Sequence, residues 1–105
     1  MTTVRVEYDD PKLERLCTDD AWMRRKRADV AKKLPLRIKA LETASTVGDL
    51  PTIDPLGKWH ELKADRPGHW AGKVSDNFRL IFRPEGDGET WEAHVVTVTE
   101  ITDYH

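Results

Sequence analysis

The sequence predicts a small α+β domain in which an N-terminal strand and helices pack on one face of a twisted antiparallel sheet. Apolar residues at helical spacing dominate the first half of the chain, and short alternating segments separated by turns dominate the second half. The 105 residues are enough for one hydrophobic core but not for two. A single domain over residues 1–105 is therefore expected.

A strand and a short helix are expected first. Residues 4–8 alternate apolar and charged side chains, which is typical of a half-buried strand. Asp10 is a good N-cap residue, and Pro11 follows it at the first helical position, where proline is favoured. The helix that begins there should run to about Cys17, which we expect to be a buried residue on that helix.

A long helix is expected from about Asp20 to Ala44. Apolar residues recur there at spacings of three and four, which places them on one face of a helix: Val30, Leu34, Ile38 and Leu41. Pro35 interrupts the pattern, and a proline inside a helix removes a hydrogen bond. Because the apolar stripe keeps its phase across Pro35, we predict a kink and not a break.

Four strands are expected in the second half, after an irregular connection rich in Gly and Pro over residues 46–57. They cover residues 58–63, 70–74, 78–83 and about 91–101. In the third of them Phe78, Leu80 and Phe82 should face the helices, because strand side chains alternate between the two faces. Their neighbours in the same strand should then point to the opposite, open face: Arg79, Ile81 and Arg83.

Charge is distributed unevenly along a chain whose net charge is −2. Residues 24–39 contain eight basic residues and one acid, Asp29, whereas residues 84–105 contain six acids and no Lys or Arg. This asymmetry predicts a basic face for a polyanion, with a solvated helix of mixed roles as the alternative. The overall acidity argues against indiscriminate nucleic-acid binding.

Several features predict a cytoplasmic protein without a membrane partner. The apolar runs are too short to span a bilayer, and the first residues lack the apolar block of a secretory signal. Cys17 is the only cysteine, which excludes an internal disulfide and is typical of a reducing compartment.

Three polar motifs suggest chemistry on a phosphate-containing substrate. Residues 59–63 (WHELK) supply an imidazole and an ammonium, residues 77–80 (NFRL) a guanidinium, and residues 103–105 (DYH) a carboxyl group, a phenol and an imidazole. An exposed tail without function is the alternative for the last motif. His60 and Lys63 would point to opposite faces of a strand unless the chain leaves the strand between them.

In order and spacing, residues 58–105 resemble the HigB branch of the RelE-like toxins. Residues 59–70, 74–82 and 103–105 are similar to the family patterns H-x-L-K-G-D-x-x-G-x-W, N-W-R-I-x-F and a final D-Y-H. The resemblance implies a RelE-like fold and a toxin of a type II toxin–antitoxin pair. Such toxins cleave messenger RNA in the ribosomal A site, and a helix-turn-helix antitoxin (HigA-like) silences them.

The resemblance also implies a metal-independent reaction without a cofactor. The ribose 2′-hydroxyl is deprotonated, the phosphorane is stabilised by cations, and the departing 5′-oxygen is protonated. The expected catalytic residues are His60, Lys63, Arg79, Asp103, Tyr104 and His105. RNA contacts are expected from Arg66 and Asn77 and from the basic run, through Arg24, Arg25 and Arg27.

Several alternatives remain open from the sequence. A metalloenzyme using His60, Asp103 and His105 is one, although their spacing matches no known metal motif. A non-catalytic member that binds an antitoxin or the ribosome is another. The basic run could dock on ribosomal RNA or receive an acidic antitoxin segment. His69 is expected to stack or pack, and His94 is expected to be an exposed or packed residue in the middle of a strand. Packing in the core or sheet is expected for three tryptophans, with base stacking by one of them as the alternative: Trp59, Trp70 and Trp91.

Overall fold

The computed structural model describes residues 3–103, and their helices and strands follow one another largely as the sequence predicts. In chain order they are β1 (Arg5–Tyr8), α1 (Pro11–Thr18), α2 (Asp20–Lys26), α3 (Leu34–Thr43), α4 (Leu50–Ile53), β2 (His60–Glu61), β3 (Trp70–Lys73), β4 (Phe78–Pro84) and β5 (Val95–Asp103). Short 3₁₀ turns cover Val47–Asp49, Pro55–Gly57 and Thr90–Glu92. No helix within residues 3–103 is long and apolar enough to cross a membrane.

The strands form one sheet in the order β1-β5-β4-β3-β2. β2 to β5 are antiparallel, as predicted. β1, however, runs parallel to β5, with Arg5 opposite Val95 and Tyr8 opposite Val98. The prediction is therefore wrong for the N-terminal strand, which is an edge strand of a mixed sheet. Parallel pairing needs a long connection, and the whole chain between β1 and β5 supplies it.

The helix expected over residues 20–44 is two helices, so the predicted kink at Pro35 is wrong. The chain leaves helical geometry at Arg27 (φ −141°, ψ 63°) and forms turns before α3 begins. Pro35 lies in the first turn of α3, where its missing N–H costs no helical hydrogen bond. Val30 belongs to the turn and not to a helix, but its side chain is buried. The apolar stripe therefore keeps its phase although the helix is interrupted.

The first helix forms as predicted. The Asp10 carboxylate accepts a hydrogen bond from the Leu13 backbone N–H at 2.8 Å, and Pro11 occupies the first turn. Cys17 is buried on the inner side of α1, as expected.

The hydrophobic core lies between the helices and one face of the sheet. Side chains from both layers that are fully shielded from solvent include Met23, Leu34, Leu41, Leu80, Phe82, Val96 and Val98. All four residues of the apolar stripe predicted from the sequence belong to this core. The two layers therefore pack as an α+β domain with its helices on one side.

β2 and β5 differ most from their predicted bounds. β2 contains only His60 and Glu61, and β5 starts at Val95 because Thr90–Glu92 form a 3₁₀ turn. Trp91 in that turn is 49% exposed, so the packing role expected for it is wrong. Trp59 and Trp70 are buried, as expected.

Candidate active site

β4 divides its side chains between the core and the opposite face of the sheet. Leu80 and Phe82 are buried in the core and Phe78 packs against it, as predicted. Arg79, Ile81 and Arg83 occupy the alternate positions and therefore lie on the face away from the helices. We call this surface the outer face.

Two rows of side chains cross the outer face. Register places Lys73 of β3, Arg79 of β4 and Thr102 of β5 side by side in the first row. The second row contains His60, Ala71, Ile81 and Glu100. Because side chains directly opposite one another are about 4.5–5.5 Å apart at Cβ, the Lys73 and Arg79 side chains are immediate neighbours. The first row therefore concentrates positive charge.

Arg79 is held in place by the turn that joins β3 to β4. Its Nη1 donates to the carbonyl oxygens of Ser75 at 2.9 Å and Phe78 at 3.0 Å. Its Nε and Nη2 groups have no protein acceptor among residues 3–103. A guanidinium carries five N–H donors, so Arg79 keeps donors that can bind an anion. Lys73 is neutralised in part by Asp76, whose carboxylate lies 3.5 Å from Nζ.

His60 is exposed at the start of β2. Its Nδ1 lies 2.9 Å from the carbonyl oxygen of Lys58. A carbonyl oxygen only accepts hydrogen bonds, so Nδ1 is the donor in this contact and carries the proton. The neutral imidazole then presents the lone pair of Nε2, which is the atom that can take up a proton.

The outer face is not open along its whole length. Residues 62–69 fold back across it from β2, and the Leu62 N–H donates to the His69 carbonyl oxygen at 2.7 Å. Leu62 forms a small buried cluster with Ala71 and Ile81. The prediction of an open face is therefore wrong for the middle of the sheet, where this cluster replaces solvent.

The same segment supplies two of the predicted site residues. Lys63 is exposed and lies beyond the end of β2. Strand alternation, which would place its side chain on the opposite face from that of His60, therefore does not apply to Lys63. Arg66 crosses the outer face to β5, where its Nη2 lies 2.6 Å from the Glu100 carboxylate. This ion pair ties the segment to the far side of the second row.

The remaining predicted residues of the strand motifs lie at the end of the sheet that carries Arg79. Asn77 is exposed at the tip of the β3–β4 turn. Asp103 is exposed at the end of β5, in register with Phe78 and next to the pair formed by Arg79 and Thr102. Tyr104 and His105, also predicted to be catalytic, lie outside the described residues.

The predicted basic helix residues fall into two groups. Arg24 and Arg25 are exposed on α2. Arg27 instead donates from Nε and Nη2 to the two carboxylate oxygens of Asp29, each at 3.0 Å, and its guanidinium lies 4.7 Å from the centre of the Phe78 ring. These hydrogen bonds hold the pKa of the Asp29 carboxyl below its usual range. Arg27 thus attaches the turn after α2 to the start of β4.

Arg37 is not part of an exposed basic row, although it was counted with the basic run. It is 3% exposed, and its Nε donates to the Lys73 carbonyl oxygen at 2.6 Å. Its Nη1 is 3.2 Å from the Asp54 carboxylate, which also accepts a hydrogen bond from Trp59 Nε1 at 3.0 Å. This network joins α3 to the end of β3 and to the residue that precedes His60.

Lys73 is a candidate site residue that the sequence motifs do not include, although the hairpin contains a signal for it. Lys73 and Arg79 are equally distant from Asp76 at the centre of the turn, and such symmetry predicts that they face each other across an antiparallel pair. His94 lies just before β5, at the opposite end of that strand from Asp103. No group of three His, Cys, Asp or Glu side chains within residues 3–103 is arranged to hold a metal ion.

Residues 6–104 match the family model described as the RelE-like toxin of type II toxin–antitoxin system HigB. A curated relative, the endoribonuclease HigB of Proteus vulgaris, is 38% identical over 47 residues, which are 45% of this chain and 49% of that protein. The chain thus matches about half the length of this relative.

Several solved structures have a similar fold. The YoeB–YefM complex from Staphylococcus aureus matches with a TM-score of 0.58 at 13% identity and covers 99% of both chains. YafQ from E. coli matches with a TM-score of 0.58 at 15% identity, over 96% of this chain and 93% of that one. A YoeB/ParE toxin from Agrobacterium tumefaciens matches with a TM-score of 0.56 at 17% identity, over 97% and 100%. Because these identities are low, the similarity establishes the fold alone, which is RelE-like.

Proposed function

The chain belongs to the HigB-like family of RelE-like toxins of type II toxin–antitoxin systems, and we propose that it is an endoribonuclease that cleaves messenger RNA on the ribosome. The observation that supports this chemistry is the row formed by Lys73 and Arg79, with the His60 imidazole in the neighbouring row. The partial similarity to the Proteus vulgaris endoribonuclease supports the same activity.

The proposed reaction is an attack of the ribose 2′-oxygen on the adjacent phosphorus. The 2′-hydroxyl proton passes to Nε2 of His60, and the bond from phosphorus to the 5′-oxygen breaks. That oxygen takes a proton from an acid in the terminal group of Asp103, Tyr104 and His105. The products are a 2′,3′-cyclic phosphate and a 5′-hydroxyl, so no metal ion is needed as an acid or a base.

The cations in the first row are suited to the charge that develops in this reaction. Negative charge accumulates on the phosphorane oxygens, and fixed donors aimed at it stabilise the transition state more than the substrate. From strand and residue spacings, the Cα atoms of His60 and Arg79 are on the order of 12 Å apart. Two side chains of this length can reach the same phosphodiester from opposite sides. Lys63, Arg66 and Asn77 would then contact the flanking backbone of the RNA.

The proposed partners are the ribosome with its messenger RNA and a helix-turn-helix antitoxin of the HigA type. A heterotetrameric YoeB–YefM toxin–antitoxin complex from Staphylococcus aureus contains a similar fold, which supports the existence of such a partner here. Messenger RNA on ribosomes is a cytoplasmic substrate, so the proposed place of action is the cytoplasm.

The catalytic role of the first row can be tested with two arginines of β4. Arg79→Ala should slow cleavage of ribosome-bound messenger RNA by about 10²–10³-fold, the range for removal of one transition-state donor. Arg83→Ala is the matched control, because Arg83 lies on the same strand and face but pairs with Asp9 and Glu85. Single-turnover cleavage rates and the thermal unfolding of each variant are measured together. Equal rates in both variants at equal stability would contradict the proposal.

The ends of the RNA products test the reaction itself. We expect 2′,3′-cyclic phosphate or 3′-phosphate ends and 5′-hydroxyl ends, with activity preserved under chelation that leaves ribosomes intact. A product with a 5′-phosphate would falsify the proposed reaction. A chain that binds the antitoxin or the ribosome but cuts no RNA would instead support the non-catalytic alternative.

A further inference from the structure

The His60 ring is held by the backbone of the residue two positions before it. Nδ1 of His60 lies 2.9 Å from the carbonyl oxygen of Lys58, and the exposed ring makes no other hydrogen bond within residues 3–103. Lys58 has left-handed backbone geometry, with φ 48° and ψ 44°. Among the described residues it is the one residue other than glycine with a positive φ. The direction of this carbonyl oxygen thus depends on a conformation that residues with a Cβ disfavour.

The left-handed conformation falls on Lys58 although a glycine precedes it. Gly57 does not have a positive φ and serves close packing instead, because a Cβ there would overlap Trp59 Nε1 and come within 2.8 Å of the Asp54 carboxylate. A left-handed residue often ends a helical turn, but that residue is usually Gly or Asn. Lys58 ends the 3₁₀ turn of Pro55–Gly57 without the advantage of either. Backbone strain of this kind concentrates at functional sites, so it points to a role for the Lys58 carbonyl group.

Buried contacts hold the chain on both sides of Lys58. Before it, Nη2 of the buried Arg37 donates to the Leu56 carbonyl oxygen at 3.2 Å. After it, the Trp59 ring is buried and its Nε1 donates to the Asp54 carboxylate at 3.0 Å. Arg37 also donates to Asp54, so the two contacts belong to one network. This network fixes the neighbours of Lys58 and so maintains its strained conformation.

The Lys58 side chain takes no part in this arrangement. It is exposed, and its ammonium group has no hydrogen bond or ion pair within residues 3–103. The contribution of the Lys58 backbone can therefore be separated from that of its charge.

We propose that Lys58 is a positioning residue for His60, whose carbonyl oxygen keeps the proton of the neutral imidazole on Nδ1 and leaves the lone pair of Nε2 for the RNA. The inference rests on the proposed function, in which Nε2 takes up the 2′-hydroxyl proton. The hydrogen bond that one ring nitrogen makes sets the tautomer of a neutral histidine. The bond to Lys58 also persists when Nε2 is protonated, because both nitrogens of an imidazolium are donors. The proton on Nδ1 therefore stays in place throughout the reaction.

The tautomer can be measured on the full chain without RNA. At about pH 8.5, where an unperturbed imidazole is neutral, the nitrogen chemical shifts of the His60 ring should show Nδ1 as the protonated atom. His60→Gln identifies the signals of this ring by their loss. A neutral ring that carries its proton mainly on Nε2 overturns the proposal.

Two substitutions of Lys58 separate its backbone from its charge. Lys58→Gly removes the ammonium group but permits a positive φ, so the tautomer and the cleavage rate should stay close to those of the wild type. Lys58→Pro removes the same charge but fixes φ near about −65°, so the carbonyl group cannot keep its direction. Part of the proton should then move to Nε2. The single-turnover rate at saturating ribosomes should fall by about tenfold or more, because misplacement of a catalytic group can cost ~10²-fold.

Stability and ribosome binding of each variant are measured beside the rates. Both should be similar in the variants that fold, because the expected loss is in the chemical step and not in binding. Should Lys58→Pro not fold, Lys58→Val takes its place, since a β-branched residue strongly disfavours a positive φ.

The outcomes separate this proposal from the proposed function. Equal cleavage rates in the glycine and proline variants overturn it, because they make the backbone irrelevant if both are fast and assign the effect to the ammonium group if both are slow. A wild-type chain that cleaves RNA with the proton of His60 on Nε2 overturns the positioning role alone. A wild-type chain that has the expected tautomer but cleaves no RNA overturns the proposed function.

Discussion

At the scale of single residues, Cys17 and Tyr8 bring two weak acids into the core. Burial raises the pKa of the Cys17 thiol to about 12. Burial also raises the pKa of the Tyr8 phenol above its usual value, and the neighbouring Cys17 raises it further. The Tyr8 hydroxyl is buried and has no hydrogen-bond partner within residues 3–103. Both groups therefore stay neutral in the folded protein at pH values at which they already ionise in the unfolded chain.

This arrangement predicts a loss of stability in alkali. Below about pH 8 both groups are protonated in the folded and the unfolded chain, so they give no pH dependence. At higher pH the unfolded chain loses these protons first. The free energy of unfolding should then fall by up to about 1.4 kcal/mol per pH unit for each group, until the folded-state pKa is reached.

Urea unfolding between pH 7.5 and 10.5 measures this slope. Cys17→Ala should make the decline above pH 9 shallower, and Tyr8→Phe should do so at higher pH, whatever each change does to stability at neutral pH. Conserved slopes in both variants would show that neither group titrates differently on folding. Tyr8→Phe also removes a buried unpaired hydroxyl, whose desolvation costs about 1–3 kcal/mol, so it should not destabilise the protein at pH 7.

At the scale of secondary-structure elements, the packing of Trp59 fixes the start of β2. Its ring lies against the backbone of Gly72 in β3, where a Cβ would come within 2.7 Å of Trp59 Cε3. Its Nε1 donates to Asp54, which also accepts from Arg37. His60 follows directly in the chain, so this packing positions the imidazole relative to Lys73 and Arg79 on the neighbouring strands.

Gly72→Ala should therefore destabilise the protein and slow RNA cleavage. Overpacking of a full core costs typically about 1–3 kcal/mol, and here the added methyl group meets a buried indole. Gly88→Ala is the control, because the nearest atom to its added Cβ is a flexible Glu92 carboxylate oxygen at 3.5 Å. Denaturant unfolding measures both variants. Equal free energies of unfolding would mean that Trp59 can move away without cost.

The elements also indicate which parts of the fold a sequence can predict. The faces of β4 were predicted correctly because side-chain alternation is a local property. The break between α2 and α3 was missed because Val30 lies in a turn but is buried in phase with the apolar stripe of α3. Periodicity alone cannot distinguish such a turn from a continuous helix. The parallel pairing of β1 and the burial of Arg37 depend on contacts between distant segments. No local sequence pattern indicates these contacts.

The candidate site was predictable to a similar extent. Motif order predicts His60, Arg79 and Asp103 as site residues, and the symmetry of the β3–β4 hairpin predicts that Lys73 lies opposite Arg79. The fold-back of residues 62–69 over the outer face could not, because the Arg66–Glu100 ion pair joins segments that no hairpin relates. Sequence spacing thus predicts positions within a hairpin but not what crosses over it.

At the scale of the whole molecule, positive charge is divided between the two layers of the fold. The net charge is −2, yet the first row of the outer face carries Lys73 and Arg79, and the helical layer carries Arg24 and Arg25. With α2 ending before Arg27, the basic run is not one continuous helix, and Arg27 and Arg37 are committed to internal contacts. We therefore expect α2 to be the part of this layer that docks on ribosomal RNA.

The last prediction separates docking from cleavage. Arg24→Glu with Arg25→Glu should weaken association with ribosomes, most visibly at moderate salt. The slope of log K against log salt concentration should fall in magnitude by about 1–2, because fewer counterions are released when fewer phosphates are contacted. Arg79→Ala should leave association nearly unchanged while it slows cleavage.

Lys32→Glu with Lys33→Glu reverses two charges in the turn after α2, so an equal loss in that variant would assign docking to the whole basic run. Co-sedimentation with ribosomes at several salt concentrations, measured beside rescue of growth by the antitoxin, decides the matter. If the α2 variant sediments and kills like wild type but escapes neutralisation, its arginines face the antitoxin and not RNA.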